Sequence, residues 1–73
     1  MTSQTALIGV RINGSQRELA GGQNVAELLL SLGLHPRLIV VERNGEILRH
    51  ERYESVNVED GDRLELVHFV GGG

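Results

Sequence analysis

The sequence predicts an α+β domain, a mixed sheet of four to five strands packed on one main helix. Only the segment around Val25, Leu28, Leu29 and Leu32 spaces its apolar residues as a helix does. The other apolar stretches are short, and two Asn-Gly pairs stand between them. One helix cannot cover both faces of such a sheet, so the sheet must wrap around it, leaving its far face to water.

Taken in order, Ile8, Val10 and Ile12 alternate with Leu7, Gly9 and Arg11, the period of two of a half-buried strand. Asn13-Gly14 follows. Both residues tolerate φ > 0, so the pair predicts a tight hairpin into a second strand over residues 16–19, closed by Ala20-Gly21-Gly22. Asn24 is placed as a helix N-cap with Glu27 three residues on, the spacing of a capping box. Val25, Leu28, Leu29 and Leu32 then fall at i, i+3, i+4 and i+7 and form one apolar face. Gly33 suits the left-handed residue that stops a helix, Leu34 can cover Leu29, and Pro36 prevents resumption.

Residues 38–43 read as a buried β-branched strand, and Asn44-Gly45 repeats the hairpin signal before a short strand over 46–48. The charged stretch 49–54 predicts a turn or a single helical turn, with Tyr53 tucked onto the core. Val56 and Val58 lead to Glu59-Asp60-Gly61-Asp62, read as a solvated acidic corner. A final strand over 64–70 closes the domain. This order is similar to the ubiquitin-like β-grasp arrangement, which makes the first and last strands parallel neighbours at the sheet's centre. The expected organisation is one domain over residues 1–70 and a glycine tail over 71–73.

Composition removes several function classes. Seven positive residues, all Arg, against ten Asp and Glu give a net charge of -3, which argues against a nucleic-acid binder held by phosphates. One Phe, one Tyr and no Trp offer no stacking platform for bases. Without cysteine there is no disulfide, thiolate metal site or cysteine nucleophile. Without lysine the chain cannot build polymers on its own side-chain amines. No apolar run approaches the ~20 residues that span a membrane, and residues 1–5 lack the basic and apolar regions of a signal peptide. A cytoplasmic protein is the expectation.

Side-chain chemistry is sparse. His35, His50 and His68 are far apart and none has a second ligand at a metal-binding spacing, so they read as surface or rim histidines. Gly14 and Gly21-Gly22 are not followed by Gly-Lys-Ser/Thr and read as turns rather than a phosphate loop. No Ser/His/Asp set presents itself.

The tail Val70-Gly71-Gly72-Gly73 is the informative stretch. Three glycines have little to bury and are entropically costly to order; extended, they reach on the order of 10 Å and would pass down a channel too narrow for other residues. The expected reactive group is the Gly73 carboxylate. With a reference pKa of ~3.3–3.7 it is ionised at neutral pH and a poor electrophile, so it must be activated, for example as an acyl-adenylate formed on the α-phosphate of ATP. No motif here binds ATP or Mg²⁺. A separate enzyme must supply that step, and this chain is expected to carry no cofactor of its own. If Leu64 and Leu66 face the helix, Val67 and Phe69 face water. The same alternation sends Leu7 and Val40 outward, which predicts a docking face of Leu7, Val67, Phe69, Val70 and Gly71 beside the tail.

Several segments together resemble the ThiS family of thiamine-biosynthesis sulfur carriers over nearly the whole chain. They are Asn13-Gly14, Val25-Ala26-Glu27-Leu28-Leu29, Val41-Glu42-Arg43-Asn44-Gly45-Glu46-Ile47, Arg49-x-x-Arg52-Tyr53, Asp60-Gly61-Asp62, and Val67-His68-Phe69-Val70-Gly71-Gly72-Gly73. The resemblance implies a carrier rather than an enzyme. A ThiF-like adenylyltransferase would adenylate Gly73 with ATP and Mg²⁺. Sulfur from a donor such as a cysteine desulfurase would make a thiocarboxylate, and a ThiG-like thiazole synthase would take the sulfur. Gly72 and Gly73 carry over directly, Gly71 as leash. The alternatives are a molybdopterin-synthase small subunit, a ubiquitin-like protein modifier and a plain β-grasp interaction module.

Overall fold

The computed structural model describes residues 6–69. Five strands, β1 (Leu7–Ile12), β2 (Ser15–Ala20), β3 (Ile39–Arg43), β4 (Glu46–Leu48) and β5 (Arg63–His68), accompany one helix, α1 (Val25–Ser31), and two single 3₁₀ turns, Pro36–Leu38 and His50–Arg52. The sheet order is β2-β1-β5-β3-β4. β5 lies at the centre, parallel to β1 and antiparallel to β3. The fold is thus the mixed sheet on one helix expected of a ubiquitin-like β-grasp domain.

Both Asn-Gly pairs turn as their chemistry requires. Asn13 and Asn44 take φ of 50° and 52°, Gly14 and Gly45 φ of 85° and 89°, and the flanking pairs Ile12↔Ser15 and Arg43↔Glu46 close two-residue hairpins. The capping box at the start of α1 is complete: the Asn24 side-chain oxygen accepts from the Glu27 N–H at 2.7 Å, and Glu27 Oε1 accepts from the Asn24 N–H at 2.9 Å. At the other end Gly33 turns left-handed, with φ 79°, and the Leu34 N–H donates to the Leu29 carbonyl at 2.9 Å.

The core is one cluster. Val25, Ala26, Leu28 and Leu29 of α1 meet Val10 and Ile12 of β1, Ile39 and Val41 of β3 and Leu64 of β5, with Tyr53 and Val58 filling the side. Each such aliphatic side chain removed from water contributes on the order of 1.5–3 kcal/mol, and these burials lock the sheet register because a one-residue slip would turn the inner row of a strand outward.

Three expectations change. The third strand starts at Ile39 rather than at 38, because Pro36 opens a 3₁₀ turn in which the Leu38 N–H donates to the His35 carbonyl at 2.9 Å; Leu38 is left exposed. The last strand ends at His68, although the Phe69 N–H still donates to the Leu38 carbonyl at 2.6 Å; Val70 lies outside the described residues. The acidic corner is solvated at Glu59, Asp60 and Gly61, as expected, but not at Asp62. Asp60 Oδ1 accepts from the Gly9 N–H at 2.7 Å, and Asp62 is buried, accepting from the Arg43 Nε–H at 2.9 Å, the Asn44 side-chain amide at 3.0 Å and the Glu59 N–H at 2.9 Å. The turn enters β5 between β1 and the β3–β4 hairpin, where backbone donors need partners.

Candidate functional site

Alternation along β5 puts Leu64 into the core and Val67 on the opposite face of the sheet. Val67 and Phe69 are 58% and 56% exposed. Across the ladder Val40 pairs with Val67, and Glu42 pairs both with Glu65 on β5 and with Ile47 on β4. Val67, Val40, Phe69 and Ile47, with Leu38 adjoining Phe69, therefore make an apolar patch on the outer face of β5, β3 and β4, bordered by two carboxylates that stand directly opposite each other. A contiguous exposed apolar patch is a candidate surface for a partner.

Of the residues predicted for this face, Val67, Phe69 and Val40 come together as expected. Leu7 does not join them. It is exposed, but it precedes by four residues the Arg11 that pairs with Arg63, whereas Val67 follows Arg63 by four; eight strand steps of about 3.3 Å separate them, roughly 26 Å. Alternation fixes which face a side chain takes and says nothing of where along the sheet it sits. Ile47 and Leu38 were missed. Ile47 had a usable signal, since a two-residue Asn-Gly turn puts it opposite Glu42 and hence on the same face as Val40. Val70, Gly71, Gly72 and Gly73 lie outside the described residues.

The strand that leads to the tail is held from both sides by the turn asparagines. Asn44 exchanges two bonds with Arg63, its N–H to the Arg63 carbonyl at 2.8 Å and its Oδ1 from the Arg63 N–H at 2.8 Å. Asn13 does the equivalent near the exit: its N–H donates to the Leu64 carbonyl at 2.9 Å, and its side chain accepts from the Leu66 N–H at 2.7 Å and donates to the Leu66 carbonyl at 3.3 Å. On the β4 side of β3, Tyr53 stands where β4 has run out. Its hydroxyl donates to the Ile39 carbonyl at 2.7 Å and accepts from the Val41 N–H at 3.1 Å. Burial pushes the Tyr53 phenol pKa up, outweighing the Val41 hydrogen bond that lowers it.

The histidines do not gather at this face. His35 and His50 line an open groove of about 810 Å³ with Ala26, Leu30, Pro36 and Tyr53, His50 tilting against the Tyr53 ring at 4.8 Å. His68 sits at the end of β5. Among the described residues no group of three or more His, Asp or Glu could hold a metal ion, and no helix is long and apolar enough to cross a membrane.

The turn-clamped central strand and, from the apolar outer patch, Val67 and Phe69 stand just before the glycine tail in the chain. The family model described as the ThiS family matches residues 10–73, which include the tail and all of the sheet but the start of β1. The chain belongs to the ThiS family. Its sulfur carrier relative ThiS from Bacillus subtilis is 49% identical over 49 residues, 67% of this chain and 74% of that protein. The crystal structure of the thiamine biosynthesis protein ThiS from Geobacter metallireducens superposes with a TM-score of 0.77 at 36% identity, covering 90% of this chain and all of that one. A protein named thiazole synthase from Paramagnetospirillum magneticum is 47% identical over 62 residues, 85% of this chain but 19% of that protein. The chain thus spans about a fifth of the length of the thiazole synthases it matches. ThiS is a family of small sulfur carriers in thiamine biosynthesis.

Proposed function

We propose that this chain carries sulfur as a thiocarboxylate on Gly73 and delivers it for the thiazole ring of thiamine. A ThiF-like adenylyltransferase binds the outer apolar face and receives the tail. The Gly73 carboxylate attacks the α-phosphate of ATP, pyrophosphate leaves, and the acyl-adenylate forms; the outer sulfur of a persulfide on a cysteine desulfurase or similar donor then attacks the acyl carbon and expels AMP, and a thiol reductant cleaves the resulting acyl disulfide, releasing the thiocarboxylate and leaving the donor sulfur in a disulfide with that thiol. Net, one carboxylate oxygen is exchanged for sulfur. Glycine suits the reacting position because an acyl carbon beside an unsubstituted Cα is open to attack from both faces. ATP and Mg²⁺ belong to the activating enzyme. The observation that carries this reading is that the family match extends through residue 73, just beyond the strand that bears Val67 and the Phe69 that follows it.

Relatives named thiazole synthase that contain a stretch like this chain within a much longer protein support thiazole synthase as the acceptor. Tethering a carrier to the enzyme it serves raises its effective concentration without any new contact. The test is an intact mass of the protein from its own cells and after incubation with ATP, the adenylyltransferase and a sulfur donor. The expected result is a gain equal to replacing one oxygen by sulfur, mapped to Gly73. Amide linkage to other proteins would establish a modifier instead, and an unchanged mass would leave an interaction module.

The docking face has its own test. Val67→Glu adds a third carboxylate beside Glu42 and Glu65 at a site that is already exposed, so the fold is expected to melt within about 0.5 kcal/mol of the parent. Desolvating that charge against an apolar partner is expected to weaken binding by about 2 kcal/mol or more, read as at least a 30-fold rise in the KM for adenylation. An unchanged KM would place docking elsewhere.

A further inference from the structure

The geometry points to Asn13 as a positioning residue: its side chain fixes the direction in which β5 leaves the sheet, and with it the aim of Val67 and Phe69. This rests on the carrier reading for its consequence and on separate observations for its substance. Pairing of β1 with β5 ends at Ile12↔Leu64, because the chain turns away at Asn13-Gly14. Beyond that point β5 keeps β3 as its only strand neighbour, through Val67 and His68. In that position the Asn13 amide takes the place of a strand, accepting from the Leu66 N–H at 2.7 Å and donating to the Leu66 carbonyl at 3.3 Å. Both main-chain groups of one residue are thereby satisfied by one planar side chain 53 positions away in sequence.

Two demands meet at this residue. The turn needs φ of 50°, which Gly, Asn and Asp accept at little cost, and the Leu66 clasp needs a donor and an acceptor in one short side chain, which among these only Asn supplies. Turn chemistry alone would be served equally well by Gly. A strand end with a neighbour on one side samples a wider range of directions, and a partner that must receive a narrow tail then loses binding free energy to order it.

Asn13→Gly keeps the turn and removes the clasp; Asn13→Asp keeps the acceptor and loses the donor. The experiment combines amide hydrogen exchange with steady-state adenylation by the ThiF-like enzyme, and uses Glu27→Ala as a control that loosens the helix cap without touching β5. Expected for Asn13→Gly are exchange at Leu66 faster by up to about 10-fold relative to core amides such as Val10, a KM raised roughly 3- to 10-fold and an unchanged kcat, with Asn13→Asp intermediate on both readouts. Glu27→Ala is expected to leave KM and Leu66 exchange where they were. Unchanged KM in Asn13→Gly, or an equal rise in Glu27→Ala, would overturn the positioning role and leave a structural one. Failure of the parent protein to be adenylated would overturn the carrier reading instead, and unchanged Leu66 exchange in Asn13→Gly would still overturn this one.

Discussion

Deletion of Gly73 is expected to abolish sulfur loading while leaving the melting transition in place. The deletion moves the terminal carboxylate back by one residue, about 3.5 Å. An in-line attack on an α-phosphate requires reacting atoms to approach to about 3–3.5 Å, and a misplacement near 1 Å already slows such steps by about 100-fold. A loss of at least that size in single-turnover adenylation follows, measured as pyrophosphate release or as the mass gain of the carrier. Thermal stability stays because, among the described residues, every buried hydrophobic one lies between Val10 and Leu64. Gly72→Val serves as the companion variant, since it keeps the carboxylate at its full reach and adds a β-branched side chain. Comparable loss in both variants identifies a narrow channel as well as a defined length; loss in the deletion alone identifies length. Full loading of the deletion variant would remove Gly73 from the chemistry.

Local chemistry made most of the architecture legible in the sequence. The two Asn-Gly turns, the Asn24–Glu27 capping box and the Gly33 stop each act within a few residues, and the structure has all of them. The face of each side chain was legible as well, since Val67 and Phe69 point outward as their alternation with Leu64 and Leu66 requires. Position along the sheet was not. The register of β1 against β5 joins residues 52 apart, and no local pattern encodes it, so alternation alone groups Leu7 with a patch whose members lie at the other end. The same limit hid the long-range side-chain bonds. Asn13, Asn44 and Asp60-Gly61-Asp62 were recognised as turn formers, which they are, but the sequence carries no sign that Asn13 clasps Leu66 or that Asp62 holds Arg43 and Asn44. The same segments that carry the family resemblance supply these clamps, and Tyr53 of the Arg49-x-x-Arg52-Tyr53 stretch bridges Ile39 and Val41.

Asp62→Ala is expected to be among the most destabilising single changes outside the hydrophobic core. Its carboxylate gathers three donors from three parts of the chain: the Arg43 guanidinium on β3, the Asn44 amide in the second hairpin and the Glu59 N–H at the start of its own turn. Removing it strands the Glu59 N–H and leaves Arg43, its side chain 29% exposed, to find water. Hydrogen bonds to charged groups contribute about 1.5–3 kcal/mol each, and they share one carboxylate, so a loss of about 3 kcal/mol is expected rather than their sum. A domain of this size has on the order of 4–10 kcal/mol in total. The melting temperature should fall by roughly 15 °C, and urea titration should show a lower midpoint. pH dependence separates the charge from the shape. Burial alone would raise the Asp62 pKa, but the Glu59 N–H, the Asn44 amide and Arg43 together outweigh it and hold it below the ordinary 3.8. A carboxyl whose pKa is lower in the folded state gives stability that is fully present above 3.8 and is lost as pH falls toward the folded value. The parent protein should therefore lose stability across that acid window, while Asp62→Asn, which keeps the outline and cannot ionise, should start lower at neutral pH and lose less there. Parallel curves for the two proteins would assign the acid sensitivity to other carboxylates.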